Sequence, residues 1–187
     1  MVLLFSIFLI ELNHTIMKKI LITSFLLVSM FSFAQNESSK GVLGDYNGDG
    51  KKEYAYSKVS DCSEDCSGKC ETAVYFSDKK LKPFTIKNSK NGDLYNLKDL
   101  NNDGKDEIGF YPNWCTSCWQ SFYVFTLRKD GFIYLVKPIL THCTQWNDDK
   151  KLPIEKVKNK KGLVKITSSI TKKEEIKTVS KIVKLKN

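Results

Sequence analysis

Stretches that alternate apolar with polar residues dominate the chain after its first third, and none shows the three-to-four-residue period of an amphipathic helix. Ser121-Phe-Tyr-Val-Phe-Thr-Leu127 is the clearest, followed by the Lys129-Asp-Gly131 turn and a second short run, Phe132 to Val136. Tyr54 to Val59, Thr72 to Phe76, Lys82 to Lys87 and Ile108 to Tyr111 read as further strands. Near the end, Gly162 to Ile170 and Glu175 to Leu185 are dense in Val, Ile and Thr, which favours strand over helix, with a turn at 171–174. The expected fold is therefore all-β, built of antiparallel hairpins and meanders and closed by a C-terminal hairpin. Asn88 to Leu97 and Thr141 to Pro153 carry no such pattern and read as irregular.

Two of these strand sets are introduced by matching segments. Asp45-Tyr-Asn-Gly-Asp-Gly-Lys-Lys-Glu53 and Asp99-Leu-Asn-Asn-Asp-Gly-Lys-Asp-Glu107 start 54 positions apart (99 − 45). Each is followed by a strand, a cysteine-containing loop, a strand, a polar turn and a strand. The repeat units run over about 42–87 and 96–137.

The repeated segment has the chemistry of a hard-cation loop. Calcium takes about 6–8 oxygen ligands from carboxylates, amides, backbone carbonyls and water. Side chains at positions 1, 3 and 5 of a tight loop converge, glycine at position 6 allows the turn, the carbonyl at position 7 adds a ligand, and the acid at position 9 closes the shell. The candidate ligands are Asp45, Asn47, Asp49, the carbonyl of Lys51 and Glu53 in the first loop. In the second they are Asp99, Asn101, Asp103, the carbonyl of Lys105 and Glu107. An EF-hand is excluded, because position 12 is Tyr56 or Phe110 and each loop enters a strand. Asp106 adds an acid to the second loop, so that loop is expected to bind calcium more tightly.

These loops resemble the calcium loops of FG-GAP and VCBS repeats, the units of integrin-type β-propellers, in which Asp-x-Asn-x-Asp-Gly-x-x-Asp precedes an apolar strand. The resemblance implies calcium-stabilised sheets, an extracellular setting and work as a binding or adhesion module, with the side chains named above as ligands. Position 9 is Glu here instead of Asp, and there are two motif-bearing units where propellers close with about 4–8 blades. A complete propeller is therefore not expected.

Composition adds the compartment. Met17-Lys-Lys19, the apolar run Ile20 to Phe33 and the small residues before Gln35 read as a signal peptide cut between Ala34 and Gln35, with residues 1–16 as an upstream extension. One domain, 35–187, is left, without a membrane span, secreted or periplasmic. It holds all six cysteines, Cys62, Cys66, Cys70, Cys115, Cys118 and Cys143, an even number that points to disulfides in an exported chain.

Charge is unevenly spread. Residues 35–149 carry 15 Lys and Arg against 17 acids, whereas residues 150–187 carry 13 Lys against 3 acids. The lysine-rich segment reads as guarded edge strands, with polyanion binding as the rival. No aromatics interleave with these lysines, so a nucleic-acid groove is not indicated.

The principal expectation is a calcium-binding, disulfide-stabilised binding module, not an enzyme, with an extracellular protein or glycan as partner. A thiol–disulfide protein using Cys115 and Cys118 is the enzyme-class alternative. Trp114, Trp119, Trp146, Tyr111 and Tyr123 form an aromatic group that is either core or a stacking platform for sugars or peptides.

Overall fold

The structure, a computed structural model, describes residues 41–60, 70–113, 117–146 and 151–185. The expected signal peptide and its cleavage site lie outside the described residues, as do Cys62, Cys66 and Cys115. Among the described residues there is no helix, and so none long and apolar enough to cross a membrane.

Among the described residues, twelve strands form three antiparallel sheets. The first runs in chain order: β1 (Val42–Gly44), β2 (Glu53–Ser60), β3 (Glu71–Phe76) and β4 (Phe84–Lys87). The second does the same with β5 (Gly92–Asn96), β6 (Ile108–Pro112), β7 (Trp119–Arg128) and β8 (Gly131–Tyr134). The ten-residue β7 is long enough for its outer edge to be shared. Phe125–Arg128 pairs with β8, and Trp119–Phe122 pairs with β9 (Ile139–His142). The third sheet is β10 (Ile154–Lys156), β11 (Leu163–Lys172) and β12 (Glu175–Lys184).

The middle sheet is covered on both faces, and strand alternation explains how. Ile108 and Phe110 on β6 and Phe125 on β7 point toward the first sheet, where they pack with Tyr46, Ala55, Val74 and Ile86. Phe122 and Val124 point the other way and pack with Ile139 and with Ile154, Val164 and Ile166 of the third sheet. Truncating a fully buried ring such as Phe110 or Phe122 is expected to cost about 3–5 kcal/mol.

The all-β reading and the C-terminal hairpin match the structure. Two segments read as irregular are partly strands. Gly92–Asn96 pairs with β6 along its whole length, so the second sheet begins at residue 92 instead of 96. Thr141 and His142 end β9. Both segments are too short and too polar to alternate visibly, and they are strands because a more apolar neighbour offers them hydrogen bonds. Ile154–Lys156 likewise opens a third sheet as β1 and β5 open theirs: a strand of three to five residues, a loop, then its antiparallel partner.

Candidate metal centre

Each of the two repeated loops is tied down by the same pair of positions. Position 2 is apolar and buried, Tyr46 in one loop and Leu100 in the other, which roots the loop in the core. Position 9 starts the outgoing strand region and turns its carboxylate back under the loop. Glu53 Oε2 accepts from the Tyr46 amide at 3.0 Å, and Glu107 Oε2 accepts from the Leu100 amide at 2.6 Å. Positions 4 and 6 both take positive φ: Gly48 (78°) and Gly50 (82°), Asn102 (66°) and Gly104 (86°). The sequence reading assigned that demand to position 6 alone. Asparagine tolerates this conformation better than other side chains, which is why it stands in for glycine at 102.

The side chains at positions 1, 3 and 5 organise the loop backbone. Asp45 accepts from the amides of Gly48 (2.8 Å), Asp49 (3.1 Å) and Gly50 (2.9 Å). Asn47 Oδ1 accepts from Asp49 N, and Asp49 Oδ1 accepts from Lys51 N, each at 2.8 Å. Asp99, Asn101 and Asp103 repeat this pattern with Asp103 N, Gly104 N and Lys105 N.

The two loops diverge in what surrounds their acids. In the first, carboxylate oxygens of Asp45, Asp49 and Glu53 all lie within 4.8 Å of one another. Asp99, Asp103 and Glu107 do not form such a group. The residues beyond each strand pair give the reason. Ala55 faces Phe76 at the end of β3, and the turn that follows brings Asp78 close enough for its charge to act on Glu53. Gly109 faces Val124, so two residues further along Glu107 faces Thr126. A fourth acid thus joins the first loop, where Asn47 Nδ2 reaches both Asp49 (3.2 Å) and Asp78 (3.3 Å). At the same place in the second loop the Thr126 hydroxyl donates to Glu107 Oε1 at 2.9 Å. Arg128 Nη1 lies 3.1 Å from Asp103 Oδ2, and Lys105 Nζ 3.7 Å from it. The second loop carries its own cations. No Lys or Arg among the described residues pairs with an acid of the first.

The carboxyl groups respond accordingly. Burial raises Glu53 above the usual carboxylate range, and the negative charges of Asp45, Asp49 and Asp78 add to it. Glu107 is fully buried, and desolvation pushes it up to about 7 against the hydrogen bonds from Leu100, Thr126 and Asn101. Asp78, Thr126 and Arg128 were missed by motif reading because they come from the far strand or turn. Aligning the two units through their strand pairing is the signal that finds them.

Cys118 is bonded to Cys143, with Cα atoms 4.8 Å apart. Cys143 therefore reaches back to the second cysteine loop, one residue beyond the Trp119–His142 pair of the β7–β9 ladder. A bridge closing a loop of this size stabilises by about 3–4 kcal/mol. Cys118, Cys143 and His142 lie close enough for a metal, but sulfurs joined to each other offer no thiolate. Cys70 is also in a disulfide. No cysteine among the described residues is free.

Of the aromatic group, Trp114 lies outside the described residues, Trp119 meets His142 edge-on at 4.7 Å, and Tyr123 is partly buried, packed against the core beside Phe125 and Tyr134.

Compared with known proteins, the chain matches no family model, no curated protein and no solved structure.

Proposed function

We propose that this is an exported, calcium-binding, disulfide-stabilised β-protein that works as a binding module, with the ion held by the first loop. The observation that carries the reading is the uncompensated charge there. Asp45, Asp49, Glu53 and Asp78 gather with no basic partner among the described residues, and Glu53 is nearly buried. Like charges held this close together destabilise a fold unless something offsets them. An all-oxygen donor set is what a hard divalent cation requires, so the residues fit calcium. Bound there, the ion supplies charge neutralisation and a cross-link between the loop and the β3–β4 turn. The geometry favours the first loop over the second, the reverse of the order expected from acid count, because Arg128 already serves Asp103.

Thermal unfolding in calcium and in chelator tests this. Calcium at 100 times its dissociation constant stabilises the folded state by about 2.7 kcal/mol, and Asp49→Asn is expected to abolish the effect. An unchanged melting temperature at millimolar calcium, with Asp49→Asn more stable than the parent, would sink the proposal.

The thiol–disulfide alternative loses ground, since Cys118 is engaged with Cys143. For polyanion binding, Lys177 is paired with Glu175 and Lys165 with Glu155, which lowers the charge the hairpin offers. Retention on heparin separates that reading from the calcium one.

A further inference from the structure

We propose that a cleft on the middle sheet, remote in sequence from the first loop, binds a neutral sugar ring. The cleft has a volume of about 250 Å³. That is below the roughly 300–1,000 Å³ of sites for drug-sized molecules and suits one ring or the end of a short chain. Alternation along β5, β6 and β7 builds it. Asp93 and Tyr95, then Tyr111, then Gln120 and Phe122 share one face, with Asn113 just past the end of β6. Asp93 sits directly opposite Tyr111 in the ladder. Trp146, Lys151 and Pro153 supply the far wall.

Three features select the ligand class. First, aromatic rings are fixed in place. Tyr111 OH is held by the Thr141 hydroxyl at 3.0 Å, Trp146 Nε1 donates to Ser169 Oγ at 3.2 Å, and Tyr95 and Tyr111 both pack on buried Phe122. Fixed rings offer flat apolar faces to the C–H face of a pyranose at little cost in side-chain freedom. Second, the side chains of Asp93, Asn113 and Gln120 hydrogen-bond no other described residue, although they surround one cleft. A carboxylate and two primary amides present the paired donors and acceptors that adjacent hydroxyls use. Third, among the described residues lining the cleft, Asp93 and Lys151 are the only charged groups, one of each sign. Lys151 Nζ rests 5.9 Å from the Trp146 ring centre, which further occupies that charge. These two groups together give an anionic ligand no net attraction.

This site stands apart from the calcium reading. Calorimetry and tryptophan fluorescence on the whole chain test it, with cellobiose, maltose and N,N′-diacetylchitobiose as neutral probes and glucose 6-phosphate as the anionic control. Saturable binding of at least one neutral probe is expected. Asp93→Ala and Gln120→Ala are expected to weaken it at least about tenfold each while leaving the melting temperature unchanged. No binding of any neutral probe by about 10 mM, tighter binding of glucose 6-phosphate, or variants that bind like the parent would overturn it.

Discussion

Asp106 of the second loop holds Asp45, the first residue of the first loop, from both sides. The Asp45 amide donates to Asp106 Oδ2 at 3.2 Å, and the Asp106 amide donates to the Asp45 carbonyl at 2.7 Å. Asn96 completes the clamp, giving its Nδ2 to Asp106 Oδ2 and to the Leu43 carbonyl, each at 2.8 Å. Asp106 is the extra acid that suggested a tighter second site, and here it serves the first. Asp106→Ala is expected to cost about 1–3 kcal/mol of stability and to weaken calcium binding at the first loop. Asp106→Asn keeps an acceptor and is expected to do much less of both. Chemical denaturation with and without calcium measures the two effects together.

The Arg128–Asp103 pair predicts how the second loop can be changed. It is partly exposed, with side chains 30% and 12% accessible, so Arg128→Gln alone is expected to cost only about 1 kcal/mol. Adding Thr126→Asp recreates the acid that Asp78 contributes to the first loop. The double variant is expected to raise calcium stoichiometry in calorimetry from one to two. A stoichiometry that stays at one would show that register and charge are not what separates the loops.

Much of this was open to inspection in the sequence, and the limits have physical causes. The loops could be read because each packs its chemistry into nine consecutive residues, and strands such as β7 and β11 could be read because alternation persists over ten. Residues that act across a strand pair could not. Asp78 and Arg128 look like ordinary turn residues, Thr126 like one more strand residue and Asp106 like a member of the second loop alone, until the fold sets each against a loop. Strand β5 was hidden for a similar reason, since Gly92-Asp-Leu-Tyr-Asn96 acquires its strand character from β6. The Tyr111–Trp146 neighbourhood reads as aromatic in sequence, but the polar residues beside it in the cleft, Asp93, Asn113 and Gln120, come from separate strands or strand ends that only pairing brings together.

Glu107 makes the calcium-free protein sensitive to pH. Its carboxyl titrates near 4.5 when unfolded and is pushed up to about 7 by burial in the fold. The fold therefore favours the protonated form. The associated stabilisation is complete below about 4.5 and is lost as pH rises through about 7, a difference of about 3 kcal/mol. Glu53 is raised as well and pulls in the same direction. In chelator, the melting temperature is expected to fall between pH 5 and pH 8, and Glu107→Gln is expected to flatten most of that fall. A melting temperature that climbs over this range in the parent would mean the carboxylate is ionised and welcome in its pocket.

The turn between β11 and β12 carries an avoidable strain. Lys172 pairs with Glu175, so Lys173 and Glu174 form a two-residue hairpin loop, and both have positive φ, 50° and 64°. That geometry suits the right-handed twist of the flanking strands, but it is disfavoured for residues with a Cβ, by about 1–2 kcal/mol each. Asn-Gly meets the same demand with far less conflict. The replacement Lys173→Asn with Glu174→Gly is expected to stabilise the protein by about 1–2 kcal/mol, somewhat offset by the extra freedom glycine gives the unfolded chain. Lys173→Pro should do the opposite, because proline fixes φ near −65° and cannot adopt the observed value. Both substitutions lie at an exposed tip away from the loops and the cleft. Calcium response should therefore be unchanged while the melting temperature moves in opposite directions. Equal melting temperatures for the parent and the Asn-Gly variant would mean that the hairpin tip opens before the rest of the sheet, so that its strain is already released at the transition.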